Sequence, residues 1–179
     1  MSQQEIRAAL EAAADYLTKH PAESRYTDSA ATARLADSDG LKVQVSGTDG
    51  AQATTDMPIA VGGTNSAPSP GWYLRAAEAS CVATLIAMRA AHEGVAFEGL
   101  EVTVDSDSDD FGILGLREGV PAGPLRTRVR VKVSEMHVDD RDDLVWETIV
   151  HWAVEHCPVT DAVRRAVPLT VEIVTAEAS

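Results

Sequence analysis

Apolar residues recur along this chain with two periods, and each change of period marks an element. From Ser2 to His20 they fall three and four apart, at Ile6, Leu10, Ala13 and Leu17. That spacing predicts an amphipathic helix, with Ser2 placed to cap it and Pro21 to end it. From Arg25 to Thr55 the period drops to two. Ala31, Ala33 and Leu35 alternate with polar residues, and Leu41, Val43 and Val45 do the same after the turn at Asp39-Gly40. A second turn at Thr48-Asp49-Gly50 leads into a short polar strand ending near Asp56, which completes a small antiparallel meander. Met57 to Ser69 carries Gly62-Gly63, Asn65 and Pro68 and reads as a loop.

Pro70 to Gly94 is the longest helical stretch. It opens on a proline suited to a first turn and closes on a glycine suited to a C-cap. Arg75, Glu78, Arg89 and Glu93 share one face, and no charge falls between Ala79 and Met88. The pattern predicts a helix wetted at its ends and buried on every side at its centre. Cys81 would then lie on its most buried part. The stretch is too short and too charged to span a membrane.

Beyond Gly94, Val95 to Val104 alternates again and predicts a strand. Asp105 to Gly123 is acidic, contains Gly and Pro, and reads as a loop. In Pro124 to Val133, Leu125, Val129, Val131 and Val133 alternate with Arg126, Arg128, Arg130 and Lys132. This predicts a half-buried strand whose basic row is a solvated face, with pairing to acids of a neighbouring strand as the alternative. Asp142 to His156 predicts a helix, Pro158 to Ala166 a short one, and Pro168 to Val174 a last strand. Strands grouped around helices without regular alternation give an α+β fold class.

Length and charge narrow the picture. A chain of 179 residues is enough for one domain with a core. Residues 1–25 read as an N-terminal helical extension and 26–179 as the domain proper. A formal net charge of -13 argues against nucleic acid and anionic membrane surfaces as partners. No basic segment followed by an apolar one opens the chain, so the expected location is cytoplasmic. The acids concentrate in Asp105–Asp110 and Asp139–Asp143, which read as solvated loops or helix ends.

The chemistry rests on two cysteines, Cys81 and Cys157. In a cytosolic protein such a pair reads as free or catalytic thiols before a structural bridge. Both could also be ordinary buried residues. His151 and His156 are five apart, off a shared helix face, and the chain has no CxxC or HExxH, so a zinc site is not expected. Gly62-Gly63 lacks the residues of a phosphate loop, and no other cofactor is implied. Trp72, Tyr73, Trp146 and Trp152 read as core or pocket walls. Glu78, three before Cys81, would disfavour a thiolate if both faced one pocket. Cys157 directly precedes Pro158, which places it at the start of the last short helix, where backbone N–H groups favour a negative sulfur.

The Cys81 helix, the later His156-Cys157-Pro158-Val159, the strand order and the Asn65-x-x-Pro68-x-Pro70 entry loop together resemble the OsmC/Ohr family of osmotically inducible and organic-hydroperoxide-resistance proteins. The resemblance covers Thr27 to Val174. It implies an OsmC-like fold, with antiparallel sheets on a long cysteine-bearing helix, in an intertwined homodimer. It implies that Cys81 is the peroxidatic thiol, forming a sulfenic acid, and that Cys157 resolves it as a disulfide. The implied partners are a second copy of the chain, a small hydroperoxide and a dithiol or thiol-protein reductant. In that family a glutamate precedes the first cysteine by about ten residues, and an early loop supplies an arginine. Here Gly71 holds the glutamate position, Ala36 to Gly40 contains no arginine, and Arg34 lies on the preceding strand. These departures imply an under-activated Cys81. The alternative is an OsmC-fold protein without efficient peroxidase activity, acting in redox sensing or ligand binding.

Overall fold

A long helix forms where the sequence supplies both of its ends. In the computed structural model, which describes residues 2–37, 40–137 and 143–174, helix α2 runs from Pro70 to Glu93. The Ser69 hydroxyl accepts from the Trp72 N–H at 3.3 Å. At the other end Gly94 adopts φ +74°, a left-handed cap that a side chain would resist. The other elements, in chain order, are α1 (Gln3–Lys19), β1 (Ala31–Leu35), β2 (Val43–Gly47), β3 (Gln52–Thr55), β4 (Ala96–Glu98), β5 (Glu101–Asp107), α3 (Asp110–Ile113), β6 (Arg126–Lys132), β7 (Glu135–His137), α4 (Asp143–His156) and α5 (Pro158–Arg164). A 3-10 turn spans Pro21–Ser24 and another Ile59–Val61.

Among the described residues, the strands pair antiparallel. The first three strands form a sheet in the order β1-β2-β3, while β4 pairs with β7 and β5 with β6. The core lies where α2 meets α4 and the two-stranded sheets. Val82, Ile86 and Ala90 from α2 close on Ile149, Ala153 and Cys157, with Val95 at one end. Val102, Val129 and Val131 pack against this cluster from the strands. Helix α1 is bound by its Ser2–Glu5 capping box and buries no residue, yet it lies along α2 and its Gln3 amide donates to the Val95 carbonyl at 3.0 Å.

Several expectations change. The centre of α2 is not buried on every side within one chain. Glu78, Val82, Ile86 and Ala90 form a buried stripe at steps of four, while Thr84 is exposed. Of the charged set Arg75, Glu78, Arg89 and Glu93, only Glu78 is turned fully inward; Arg75 and Arg89 are half-buried and Glu93 is exposed. The strand expected over Val95–Val104 breaks at Gly99, whose φ of +64° separates β4 from β5. The loop expected from Asp105 begins three residues later, at Ser108, because β5 continues through Asp107, and α3 follows. Residues 168–174 do not pair as a strand; Leu169, Val171 and Ile173 are 86%, 74% and 86% exposed. An alternating pattern forms a strand only where an edge is present to receive it. Asp39 and residues 139–142 lie outside the described residues.

The basic row of β6 is paired rather than simply solvated. Register places Asp105 across from Arg128 and Asp107 across from Arg126. Arg128 reaches both acids, Arg130 reaches Asp105, and Arg126 Nη2 meets Asp107 at 2.6 Å. The Arg128 and Arg126 side chains hold the Asp107 carboxyl well below the ordinary carboxylate range. Opposite charges facing across an antiparallel pair explain why these acids extend β5 instead of ending it.

The loop that delivers the chain into α2 is organised by Asp56, which is 1% exposed. Its carboxylate accepts from the Met57, Thr64 and Ser66 backbone N–H groups and from the Thr64 and Ser66 hydroxyls. Gly63 closes the loop; a Cβ there would stand 1.8 Å from the Met57 carbonyl oxygen. The Gly-Gly pair therefore serves close approach within the loop.

Two outcomes follow from this packing. Ile86→Ala should cost about 2–5 kcal/mol in urea unfolding, since Ile86 is fully buried; Thr84→Ala, on the exposed side, should change stability by about 0.5 kcal/mol or less. The Thr64 hydroxyl, followed by the Ser66 N–H, holds the Asp56 carboxyl well below its usual range against the effect of burial. The folded carboxyl thus ionises below the unfolded one, so its contribution is present above about pH 4 and fades as pH falls from there. Asp56→Asn should lower the melting temperature at neutral pH and flatten its fall on acidification, as measured by circular dichroism melts from neutral to acid pH.

Candidate active site

Seventy-six positions of sequence separate Cys81 and Cys157, and the fold closes that gap. Cys81 sits midway along α2. Cys157 is the N-cap of α5, at the corner where α4 ends and Pro158 starts the next helix. Helix α5 packs against both α2 and α4, and Cys81 lies against the core cluster that contains Cys157, so the fold makes the two thiols neighbours. Both are free cysteines.

Their surroundings differ from the sequence expectation. Cys81 is only half-buried, whereas Cys157 is fully buried. Burial pushes the Cys81 thiol up, and the hydrogen bond and charge of Cys157 push it the same way, against the Val159 N–H. Burial also opposes a thiolate at Cys157. There, however, the Thr160 hydroxyl and N–H, the Cys81 thiol and the Val159 N–H together outweigh it and pull the thiol below its ordinary value. The Thr160 N–H lies 3.4 Å from Cys157 Sγ, the usual capping bond from the third helical residue. Negative charge is therefore better held at the buried Cys157 than at the more accessible Cys81.

The cations considered for Cys81 are engaged or distant. Arg126 pairs with Asp107, and Arg34 lies on β1 opposite Gln44. Among the described residues, none of the groups that shift either thiol is a cation. His156 is turned away into a stack with Trp152, ring centroids 4.3 Å apart, and Arg89 lies over the same ring at 5.0 Å. The described residues hold no cluster of three or more His, Cys, Asp or Glu suited to a metal ion.

Glu78, which the sequence set near Cys81, and Thr160, which it did not single out, belong to the wall of the site. Glu78 is 1% exposed, and its Oε1 lies 3.2 Å from the Thr160 hydroxyl. Its other oxygen, Oε2, is buried without a partner. Thr160 joins this carboxyl to Cys157. The available signals were spacings: Glu78 stands one turn before Cys81, and Thr160 three residues after a cysteine cap. Glu78 and Thr160 also line a cavity of about 620 Å³ whose walls include Val129, Val131, Trp146 and Val150. His151 opens onto this cavity rather than onto the thiols.

Comparison with known proteins bears on the family and the fold. Residues 63–172 match the family model described as OsmC-like protein. No curated protein matches the sequence. Among solved structures, an OsmC-like protein of unknown function from Vibrio cholerae superposes with a TM-score of 0.64 at 13% identity, over 76% of this chain and 94% of that one. An OsmC-like protein from Mycoplasma pneumoniae gives 0.62 at 13% identity, over 78% and 89%. An organic hydroperoxide resistance protein OsmC from Legionella pneumophila gives 0.53 at 22% identity, over 79% and 92%. At these identities the likeness is one of fold.

Proposed function

This chain belongs to the OsmC-like protein family, and from that membership we propose that it is a thiol-dependent peroxidase that reduces organic hydroperoxides with Cys81 and Cys157. The observation that carries this reading is the placing of Cys81 against the core cluster that contains Cys157, one thiol half-open and one sealed. Several relatives of the same fold are named for organic hydroperoxide resistance. No helix among the described residues is long and apolar enough to cross a membrane.

In the proposed cycle the accessible Cys81 is the attacking group. As the thiolate it displaces alkoxide from the terminal oxygen of the hydroperoxide and becomes a sulfenic acid, and the alkoxide takes a proton to leave as the alcohol. Cys157 then attacks the Cys81 sulfur, a disulfide forms, and hydroxide leaves as water. A dithiol or thiol-protein reductant returns both thiols by exchange. The rate is set by how rarely Cys81 ionises, since burial and its neighbour both oppose the thiolate. An alternative, redox sensing or ligand binding without efficient turnover, is favoured by the same raised thiol.

The active form is proposed to be a homodimer. Every residue of β1 is exposed, and the apolar side of residues 168–174 stands bare. A second copy covers both at once.

Single-turnover peroxide consumption against pH separates the readings. A raised thiol gains its thiolate only above the ordinary thiol range, so the rate should still be climbing beyond about pH 8.5. Cys81→Ser should fall to the buffer background. Cys157→Ser should consume one equivalent and leave a sulfenic acid that a dimedone probe traps. A rate already saturated at pH 6 would contradict the under-activated thiol, and no peroxide loss at any pH would leave the binding or sensing role. Sedimentation at micromolar concentration should show a dimer; a clean monomer counts against the proposed assembly.

A further inference from the structure

The two sulfurs differ in how they can be reached from outside. Cys157 is 0% exposed and sits in the core cluster with Val82, Ile149 and Ala153. Cys81 packs against that cluster from the flank of α2 and keeps an open side. On the same helix Ala77 and Thr84 stand one turn before and after it, and Ser80 precedes it in the chain; all three are exposed. The Ser80 hydroxyl donates to the Ala77 carbonyl at 3.0 Å, and the Thr84 hydroxyl to the Ser80 carbonyl at 2.9 Å. The way to Cys81 is therefore bordered by small, uncharged side chains whose hydroxyls are already engaged. A disulfide between the two cysteines needs an outside thiol to undo it, and the cycle leaves open which sulfur that thiol meets.

We propose that the reductant attacks the sulfur of Cys81 and that Cys157 is the leaving thiol. In thiol–disulfide exchange a thiolate attacks one sulfur while the other departs, and access helps decide which one is attacked. The attacker comes from the side opposite the departing sulfur. For Cys81 that side is the open flank of α2. For Cys157 it is the close-packed core, which holds no path for a thiol. The departing sulfur also has a donor in place. The Thr160 N–H lies 3.4 Å from Cys157 Sγ, and a hydrogen bond to a charged acceptor is stronger than one to a neutral thiol.

The inference rests on the peroxidase reading for the origin of the disulfide. In the step itself the reductant thiol gives its proton to solvent, and its thiolate forms an S–S bond to Cys81. The bond between Cys81 and Cys157 breaks as that bond forms, and the electron pair leaves on Cys157, which takes up a proton. A second thiol of the reductant then attacks the reductant sulfur of this mixed disulfide. Cys81 departs as a thiolate and is protonated in turn. The reductant ends as a disulfide and the protein as two thiols. Cys81 thus meets the hydroperoxide first and the reductant afterwards, while Cys157 meets only Cys81.

The opposite order carries a structural cost. To present Cys157 to an outside thiol, α5 must lift from α2 and α4, against which it packs. Lifting it opens the core cluster at Ile149 and Ala153 and breaks the bond from the Thr160 hydroxyl to the buried Glu78 carboxyl. Opening of a packed element is rare compared with motion at a surface flank. Attack at Cys81 leaves α5 seated throughout the cycle.

The test makes the disulfide without peroxide. The protein is oxidised with diamide, and the loss of both thiols is counted after denaturation. It is then exposed to 2-mercaptoethanol for a series of short times, quenched in acid, alkylated with N-ethylmaleimide under denaturing conditions and digested for mass spectrometry. The mercaptoethanol adduct should lie on Cys81 and the maleimide on Cys157, with the reverse arrangement at about a tenth or less on extrapolation to zero time. A larger share of the reverse arrangement overturns the proposal, and so does a protein that diamide does not cross-link. Urea below the unfolding transition should leave the exchange rate level; a rate that climbs with urea shows that α5 must open and also overturns it. Thr84→Trp narrows the exposed flank and should slow adduct formation several-fold, and an unchanged rate counts against this approach. Circular dichroism melts accompany the oxidised protein and the variant, and if Thr84→Trp does not fold, adduct position and urea dependence decide alone. A protein inert to hydroperoxides that carries the adduct on Cys81 counts against the peroxidase reading and leaves the order of exchange standing.

Discussion

The inward stripe of α2 is the constraint on which the rest of this molecule depends. Glu78, Val82, Ile86 and Ala90 recur at steps of four, so they line one side of the helix and must be covered together. Helix α4 supplies Ile149 and Ala153 for the apolar part. Cys157 and Thr160, at the start of α5, cover the polar end. The candidate site is therefore the last layer of the core rather than a cleft added to its surface. Anything that loosens the packing of α2 on α4 also moves the two thiols apart.

That origin explains the uneven character of the thiols. Cys157 belongs to the core and is sealed there, but it is also a helix cap, so it inherits N–H and hydroxyl donors that offset its burial. Cys81 is on the flank of the stripe, where it stays half-open and receives little such help. In the proposed cycle the accessible sulfur is the less acidic one, and reach is separated from charge stabilisation. Gly71 carries no carboxyl, and the buried carboxyl of this region is Glu78, which accepts from the hydroxyl of Thr160, three residues after Cys157.

The sheets hold this arrangement with two kinds of polar device. Across β5 and β6, arginines and aspartates face each other and bind the strands at the surface. Ahead of α2, Asp56 gathers backbone and hydroxyl donors of its own loop and fixes where the helix begins. Neither device touches the thiols, yet one fixes the start of the helix that carries Cys81 and the other the sheet that packs against it. The chain also leaves apolar surface open, along β1 and residues 168–174, that a single copy does not cover.

The sequence by itself determined the local elements and the resemblance. Pro70 and Gly94 bound α2, the alternation in Arg126–Lys132 is β6, and Cys157-Pro158 is a helix cap, because each rests on backbone chemistry within a few residues. The family was legible from the two cysteines and the residues around the second. What only the tertiary structure decided was which face of each element turns inward. The pattern of charge predicted a helix wetted at its ends and buried all round at its centre, but Thr84 near the centre is exposed while Glu78 is buried and is tolerated there through Thr160, 82 positions away. The acids at 105 and 107 were loop residues by composition and became strand residues because arginines lie across from them. Periodicity reports which side of a segment is apolar; burial of a carboxyl depends on a partner that no local window contains.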